Sequence, residues 1–496
     1  MAELTQAPTQ PPGPPGSVRP ANQSGTKVPV GSAAPTGPID RLMSTVIRKL
    51  AWSKLSDPKV AISVSGLGLL LGMIVGATAP NTATLPITRA GLALPLSHLL
   101  PPLTTSGDNV LVMVLVYAGD VCACLGLAGM LWAHSQGWRP QPRHLFLASA
   151  AVVAVMVSLT PVGSSDTASY AAYGRIAAQG GNPYVSSPKA WLPYHDGGQY
   201  LRLVGGAWTK VSSVYGPFAT AIQKFAASIG GADAATTIWI LMILNGAVFL
   251  GVGWLLLKTS DDPVRATLFW TANPVLIQQL VSGGHLDTFV AGAAICAIQV
   301  ARRVSGRWGD VLIGVLIGLG IGIKATAALV ALGLAWPMLM RREWFRVGRI
   351  AAVSLVVVAL QYSAYGLNAL KPLFEGAKWV ILPSPWRLFQ ALGDVTIGPG
   401  ATTIVIGCLW PIAMFVVAWL IFQRISAEQP PEVVAPFALT FAWVLVYPWV
   451  FPWYTAIAWV ALTQVPRNRM TRWLTIVTVL LACWHSGGGQ HAPGQV

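Results

Sequence analysis

"GDVLIGVLIGLGIGIKATAALVALGLAWPMLMRR", residues 309–342, is an apolar run with a lysine, Lys324, at its centre. Read as one helix it would extend roughly 48 Å, well beyond the ~30 Å hydrocarbon core of a bilayer. It would also put Arg302, Arg303 and Arg307 on one side of the membrane and Arg341, Arg342, Arg346 and Arg349 on the other. Basic loops gather on the cytoplasmic side. Both arginine groups obey that rule only if the chain turns back near Lys324. The glycines of "GLGIGIK" permit the break. The stretch therefore predicts two short helices meeting at a lysine.

The rest of the chain agrees. Its 496 residues are 54% hydrophobic and 10% charged, against about 25% charged in soluble domains. Apolar segments recur at about 59–78, 109–133, 145–161, 236–257, 266–281, 286–301, 309–323, 325–340, 348–365, 401–423, 433–449, 452–465 and 473–486. The fold class expected is an all-α polytopic membrane protein of about 13 spans. Arg48, Lys49, Lys54 and Lys59 precede the first span and place the N-terminus in the cytoplasm. Arg139, Arg143, Lys258, Arg265, Arg424, Arg467, Arg469 and Arg472 fall in the other inner loops. The formal charge of +15 thus reads as membrane orientation. No soluble basic domain exists to host nucleic acid. The cysteines, Cys122, Cys124, Cys296, Cys408 and Cys483, all lie in apolar runs and form no disulfide framework.

Residues 1–40 are rich in Pro, Ser, Thr and Gly and are expected to be a disordered cytoplasmic tail. No apolar h-region follows Met1, so no cleaved signal peptide is expected. The sequon at Asn22 then carries no glycan. Residues 41–486 form the transmembrane domain, with outer loops at about 162–235 and 366–400. A flexible tail follows at 487–496.

This topology gathers polar residues on the outer face of a plasma-membrane protein. "SSDTASYAAYGRIAAQGGNPY" (164–184) supplies Asp166, Tyr170 and Arg175. "SGGHLD" (282–287) supplies His285 and Asp287, and the break supplies Lys324. Tyr215 lies in the long loop, as does Lys189. "VYPWVFPWY" (446–454) brings Trp453 and Tyr454; Lys378 and "SPWRLF" (384–389), with Arg387, complete the set. Such a set suits sugar transfer from a lipid-linked phosphate donor. A carboxylate, Asp166, accepts the acceptor's proton. Cations at Lys324, Arg175, Lys378 and Arg387 meet the leaving phosphate. His285, Asp287, Tyr170, Tyr215, Trp453 and Tyr454 contact sugar or lipid. No metal cage is indicated, although Asp166 and Asp287 are candidate ligands for a divalent ion. Plainer readings stand beside these. Asp166 can cap a helix over 167–178, and Asp287 the next one. Lys324 can snorkel, and His285 can serve a tight turn. Trp453 and Tyr454 can belong to an interfacial belt, and "NPVL" (273–276) can be a simple kink. Tyr194-His195-Asp196 reads as solvated loop. Asp120, inside the second span, has Asn245 as a candidate partner and no assigned role.

In order, "SDTASYAAYGRIAAQGGNPY", "SVYGPFATAIQKF", "NPVLIQQLVSGGHLD", "IKATAAL" and "FPWYTAIAWVAL" resemble one group. It is the actinobacterial polyprenol-phosphate-mannose-dependent α-1,6-mannosyltransferases, integral membrane enzymes of the GT-C class. The resemblance covers roughly residues 60–485. It implies a periplasm-facing enzyme using decaprenyl or similar polyprenyl phosphomannose. It implies inversion of the donor linkage to build an α-1,6-mannan, the backbone of lipomannan and lipoarabinomannan, on a mannan or phosphatidylinositol-mannoside-type acceptor. By position, Asp166 matches the general base, Lys324 the phosphate-neutralising lysine and His285 the hairpin histidine. One departure stands: family members can carry Asn-Glu after that histidine, where this chain has Leu286-Asp287. Two rivals remain. One is the same fold with another polyprenyl-phosphate sugar, arabinose or glucose. The other is a transporter or lipid flippase, which would predict internal repeats and mid-membrane charges.

Overall fold

A computed structural model describes residues 56–85, 94–376, 378–382, 384–425 and 429–485. The Pro-rich segment 1–40, its sequon and the tail 487–496 lie outside the described residues. Among those described, the architecture is all-α; the only pairing of extended chain is an isolated bridge between Thr84 and Val162.

Several helices start on a proline. Pro58, Pro142, Pro217, Pro263, Pro399 and Pro431 each sit in the first turn, where no backbone N–H is needed. Helix α1 (Pro58–Ala77) is capped by Asp57. Helix α2 (Ser106–Ser135) opens on a capping box of Thr105 and Asp108. After α3 (Pro142–Met156), the long outer loop of the sequence proves largely helical. It contains α4 (Asp166–Ala178) and α5 (Pro217–Gly230), which pack on each other. Asp233 then caps α6 (Ala234–Thr259) by accepting from Ala235 and Thr236 N–H groups.

The segment after α6 is a broken hairpin. Helix α7 (Pro263–Phe269) ends, and Asn273 Oδ1 accepts from the Val275 and Leu276 N–H groups at 3.1 and 3.2 Å. "NPVL" is therefore a capped restart rather than a kink in a continuous helix. The restarted helix widens into a π-turn over Ile277–Ser282, reverses at Gly283–Gly284, and re-enters as α8 (Asp287–Arg303).

Helix α9 (Gly306–Ile323) ends at Lys324, whose backbone is extended (φ −154°, ψ 135°). A short 3-10 turn leads into α10 (Ala328–Met340). The break expected at Lys324 is present. The later helices of seven or more residues are α11 (Trp344–Ser363), α12 (Pro385–Thr396), α13 (Pro399–Arg424), α14 (Pro431–Val446), α15 (Ala456–Leu462) and α16 (Met470–His485).

Helices α1, α2, α6, α9, α11 and α13 are long and apolar enough to cross a membrane; α3, α10 and α14 are shorter apolar helices. The other expected spans are helical but shorter or interrupted, so the count of about thirteen is not established by length. The chain is nonetheless a polytopic membrane protein. Its two ends differ. Lys324 lies about 27 Å along α9 from the arginines that precede it. At that arginine end, buried Asp310 binds Arg346 at 2.8 Å and Arg349 at 2.8 Å, joining α9 to α11. Arg265 donates to the carbonyls of Val465 and Leu462, closing the end of α15. The opposite end carries the site.

Candidate active site

The strand-like segment after α3 is pinned from both sides before it reaches Asp166. Val162 N–H donates to Ser282 O at 3.2 Å and Gly163 N–H to Ala83 O at 3.0 Å. Gly163 has φ +84°, a left-handed conformation that favours glycine. Thr167 Oγ1 then donates to Gly283 O at 2.9 Å, tying the start of α4 to the hairpin turn. Asp166 is the first helical residue; Ser165 occupies the cap position without a side-chain cap bond, and Ser164 Oγ accepts from the Asp166 N–H at 3.1 Å. The capping role weighed for Asp166 is therefore not the one it performs. An acid in the first turn is favoured by the helix dipole, and its side chain faces a cavity.

Two groups meet Asp166 at the same oxygen. Tyr170 O–H donates to Oδ2 at 3.2 Å, and His285 Nδ1 lies 3.3 Å from Oδ2. The imidazole contact is within ion-pair reach, but its angle falls short of a hydrogen bond. Among the described residues no hydrogen bond reaches Oδ1, and the side chain keeps 22% exposure. Burial pushes the Asp166 carboxyl up. The close His285 imidazole and its charge, the charge of Lys324 and the Tyr170 hydroxyl outweigh it and hold the carboxyl below its ordinary value. Burial, and then the charge of Asp166, pushes the Tyr170 phenol well up, so it stays a neutral donor. Tyr215 meets Tyr170 edge-on at 4.9 Å, and burial raises its phenol likewise.

The hairpin residue His285 is fixed at both backbone and ring. Asn245 Nδ2 donates to its carbonyl at 2.6 Å, and its ring stacks on Trp453 at 3.6 Å and 13°. Asn245 also donates to Thr288 Oγ1 at 3.2 Å, so it serves this hairpin. Two residues on, Asp287 is buried and takes Lys324 Nζ at 2.9 and 3.0 Å on its two oxygens. The ammonium also sits 3.7 Å from the centre of the Tyr454 ring.

These groups border a cavity of about 340 Å3. Asp166, Tyr215 and Lys324 form its polar edge; Trp443, Trp449 and Trp453 belong to a wall that is mainly aromatic. The structure brings Asp166, Tyr170, Tyr215, His285, Asp287, Lys324, Trp453 and Tyr454 together. It places the other sequence candidates elsewhere. Arg175 contacts Asp196 (3.4 Å to its carbonyl, 3.7 Å to its carboxylate) and the Tyr200 ring. Lys378 borders a separate recess of about 40 Å3. Arg387 is exposed and donates to Gln390 at 2.8 Å. Lys189 is exposed.

Sequence reasoning missed Trp208 and Trp379, which meet edge-on at 5.3 Å in the wall. It also missed His485, which lines the cavity and whose only signal was a histidine closing the last apolar run. Among the described residues, no three His, Cys, Asp or Glu residues group as metal ligands.

A carboxylate, a paired ammonium and an apolar chamber thus lie together at one end of a membrane bundle. The family described as alpha-(1->6)-mannopyranosyltransferase, N-terminal domain, matches residues 63–341, more than half of the chain. The chain is 22% identical over 447 residues to alpha-(1->6)-mannopyranosyltransferase A of Corynebacterium glutamicum, covering 76% of this chain and 89% of that one. It is 28% identical over 262 residues to alpha-(1->6)-mannopyranosyltransferase A of Mycobacterium tuberculosis, 49% of each. A probable alpha-(1->6)-mannopyranosyltransferase of Mycolicibacterium smegmatis is 25% identical over 368 residues, 65% of each. No solved structure matches. The chain belongs to the alpha-(1->6)-mannopyranosyltransferase family.

Proposed function

From that membership we propose that the chain transfers mannose from a polyprenyl phosphomannose, such as the decaprenyl form, to the 6-hydroxyl of an α-1,6-mannan acceptor. The observation that carries this reading is the Asp166 carboxylate, ionised and open at Oδ1, beside Lys324 at the edge of an aromatic chamber. The acceptor oxygen attacks the anomeric carbon from the face opposite the phosphate, and the configuration inverts. Its proton passes to Asp166 Oδ1. The bond from the anomeric carbon to the phosphate oxygen breaks, and polyprenyl phosphate leaves with the electron pair. Lys324 neutralises that phosphate. Asp287 and the Tyr454 ring hold the ammonium ready, so a phosphate approaching Nζ meets an already oriented cation. The tryptophan wall excludes water and offers faces for sugar or prenyl chain.

On this reading the site faces the periplasm and the N-terminus the cytoplasm. The acceptor is a mannan or phosphatidylinositol-mannoside-type glycolipid, and the product lengthens the backbone of lipomannan and lipoarabinomannan. The test is a membrane assay with labelled polyprenyl phosphomannose and an α-1,6-dimannoside. Asp166→Asn is expected to lower kcat by about a hundredfold or more. Full transfer by that variant would remove the base from Asp166. Arabinose- and glucose-bearing donors run in parallel test the sugar; preference for either would overturn mannose as the substrate.

A further inference from the structure

We propose that His485, the last residue of α16, is a positioning residue for Asp166, so that the C-terminal helix forms part of the active site. The inference rests on Asp166 being the base. His485 is 3% exposed, and its Nε2 lies 2.9 Å from Gly163 O. A carbonyl only accepts, so Nε2 carries the proton, and this assigns the tautomer. Gly163 N–H is held by Ala83 O on its other side. Both polar groups of a left-handed residue three positions before Asp166 are therefore tied down.

The same ring reaches the second support of the carboxylate. It meets Trp453 edge-on at 4.8 Å and 84°, and Trp453 in turn stacks on His285, which faces Asp166 Oδ2. One side chain thus touches both the turn that aims Asp166 and the indole that backs its imidazole neighbour. Packing alone does not account for a histidine here. Its Nδ1 is buried with no hydrogen-bond partner, a standing cost that a phenylalanine would not carry. What the histidine adds is the Nε2–H bond to Gly163. His485 also lies outside residues 63–341, so the base sits in the family's N-terminal part and this support comes from beyond it.

The experiment compares His485→Phe, His485→Gln and Asp166→Asn in native membranes, each quantified as folded protein by thermal unfolding after extraction. A displacement near 1 Å of a catalytic group costs up to about a hundredfold. His485→Phe should therefore lose about ten- to a hundredfold in kcat with KM held within about twofold. His485→Gln, which keeps an N–H donor at similar reach, should recover to within about threefold of wild type. Wild-type kcat in His485→Phe, an equal loss in Gln and Phe, or a loss confined to KM would overturn the proposal. So would failure of both variants to accumulate folded, which would assign His485 to folding. Full activity in Asp166→Asn defeats the base assignment; an inactive Asp166→Asn beside a normal His485→Phe defeats only the positioning role.

Discussion

Asp166 and Asp287 are both acids, yet their surroundings give them different tasks. Asp287 gives both oxygens to Lys324; Asp166 gives one to Tyr170 and His285 and keeps the other open. The Asp166 carboxyl is held below its ordinary value near ~3.9, so the stabilisation of its ionised form is present above that pH and lost as pH falls through the lowered value. The acid limb of kcat/KM should accordingly lie below the ordinary carboxylate range. In His285→Ala, burial is opposed only by Lys324 and Tyr170, and the limb should move upward; an unmoved limb would show that His285 does not tune this acid. Lys324→Met leaves Asp287 buried and unpaired, a loss of about 3–5 kcal/mol. Lys324→Met with Asp287→Leu should regain most of that stability, read by thermal unfolding in detergent, while transfer stays lost in both. A double variant no more stable than the single one would refute the unpaired-charge explanation. The residue types and their convergence were legible in the sequence. The pairing of Lys324 with Asp287, and the stacking of His285 on Trp453, were not, because both join residues far apart in the chain.

Among the elements, the break between α9 and α10 was readable from charge placement alone. Two arginine groups and an overlong apolar run admitted one solution. The π-turn at Ile277–Ser282 was not readable, since "IQQLVS" carries no residue that separates a π-turn from an α-turn. A π-turn sets later residues off the α-helical register, and here it leads into the reversal that presents His285. Asn273→Ala, which removes the cap of that restart, should cost about 1 kcal/mol in thermal stability. The loop before α5 touches the end of α9 closely. Gly216 N–H donates to Ile323 O at 3.0 Å, and a Cβ on Gly216 would come within 2.4 Å of Gly322 O. Gly216→Ala must therefore push Tyr215 away from the Lys324 turn. Transfer should fall by about tenfold or more with folded protein still recovered; unchanged kcat would show that this contact does not position the site.

For the whole molecule, the alternation of helices brings the turns at Asp166, His285, Lys324 and Trp453 to one end and the arginine-rich turns to the other. In a cysteine-free background, Tyr194→Cys should react with a membrane-impermeant thiol reagent on intact cells. Arg342→Cys should react only after permeabilisation. The reverse pattern would overturn the proposed orientation. By itself the sequence determined the class, most of the helical segments and the break at Lys324, because hydropathy and the siting of basic loops are local properties that the bilayer reads directly. Only the tertiary structure decided which cations meet the acid's cavity, removing Arg175 and Arg387 to other partners. It also decided that α16 returns to Gly163. Those outcomes depend on helix packing angles and turn geometry, which no stretch of sequence carries on its own.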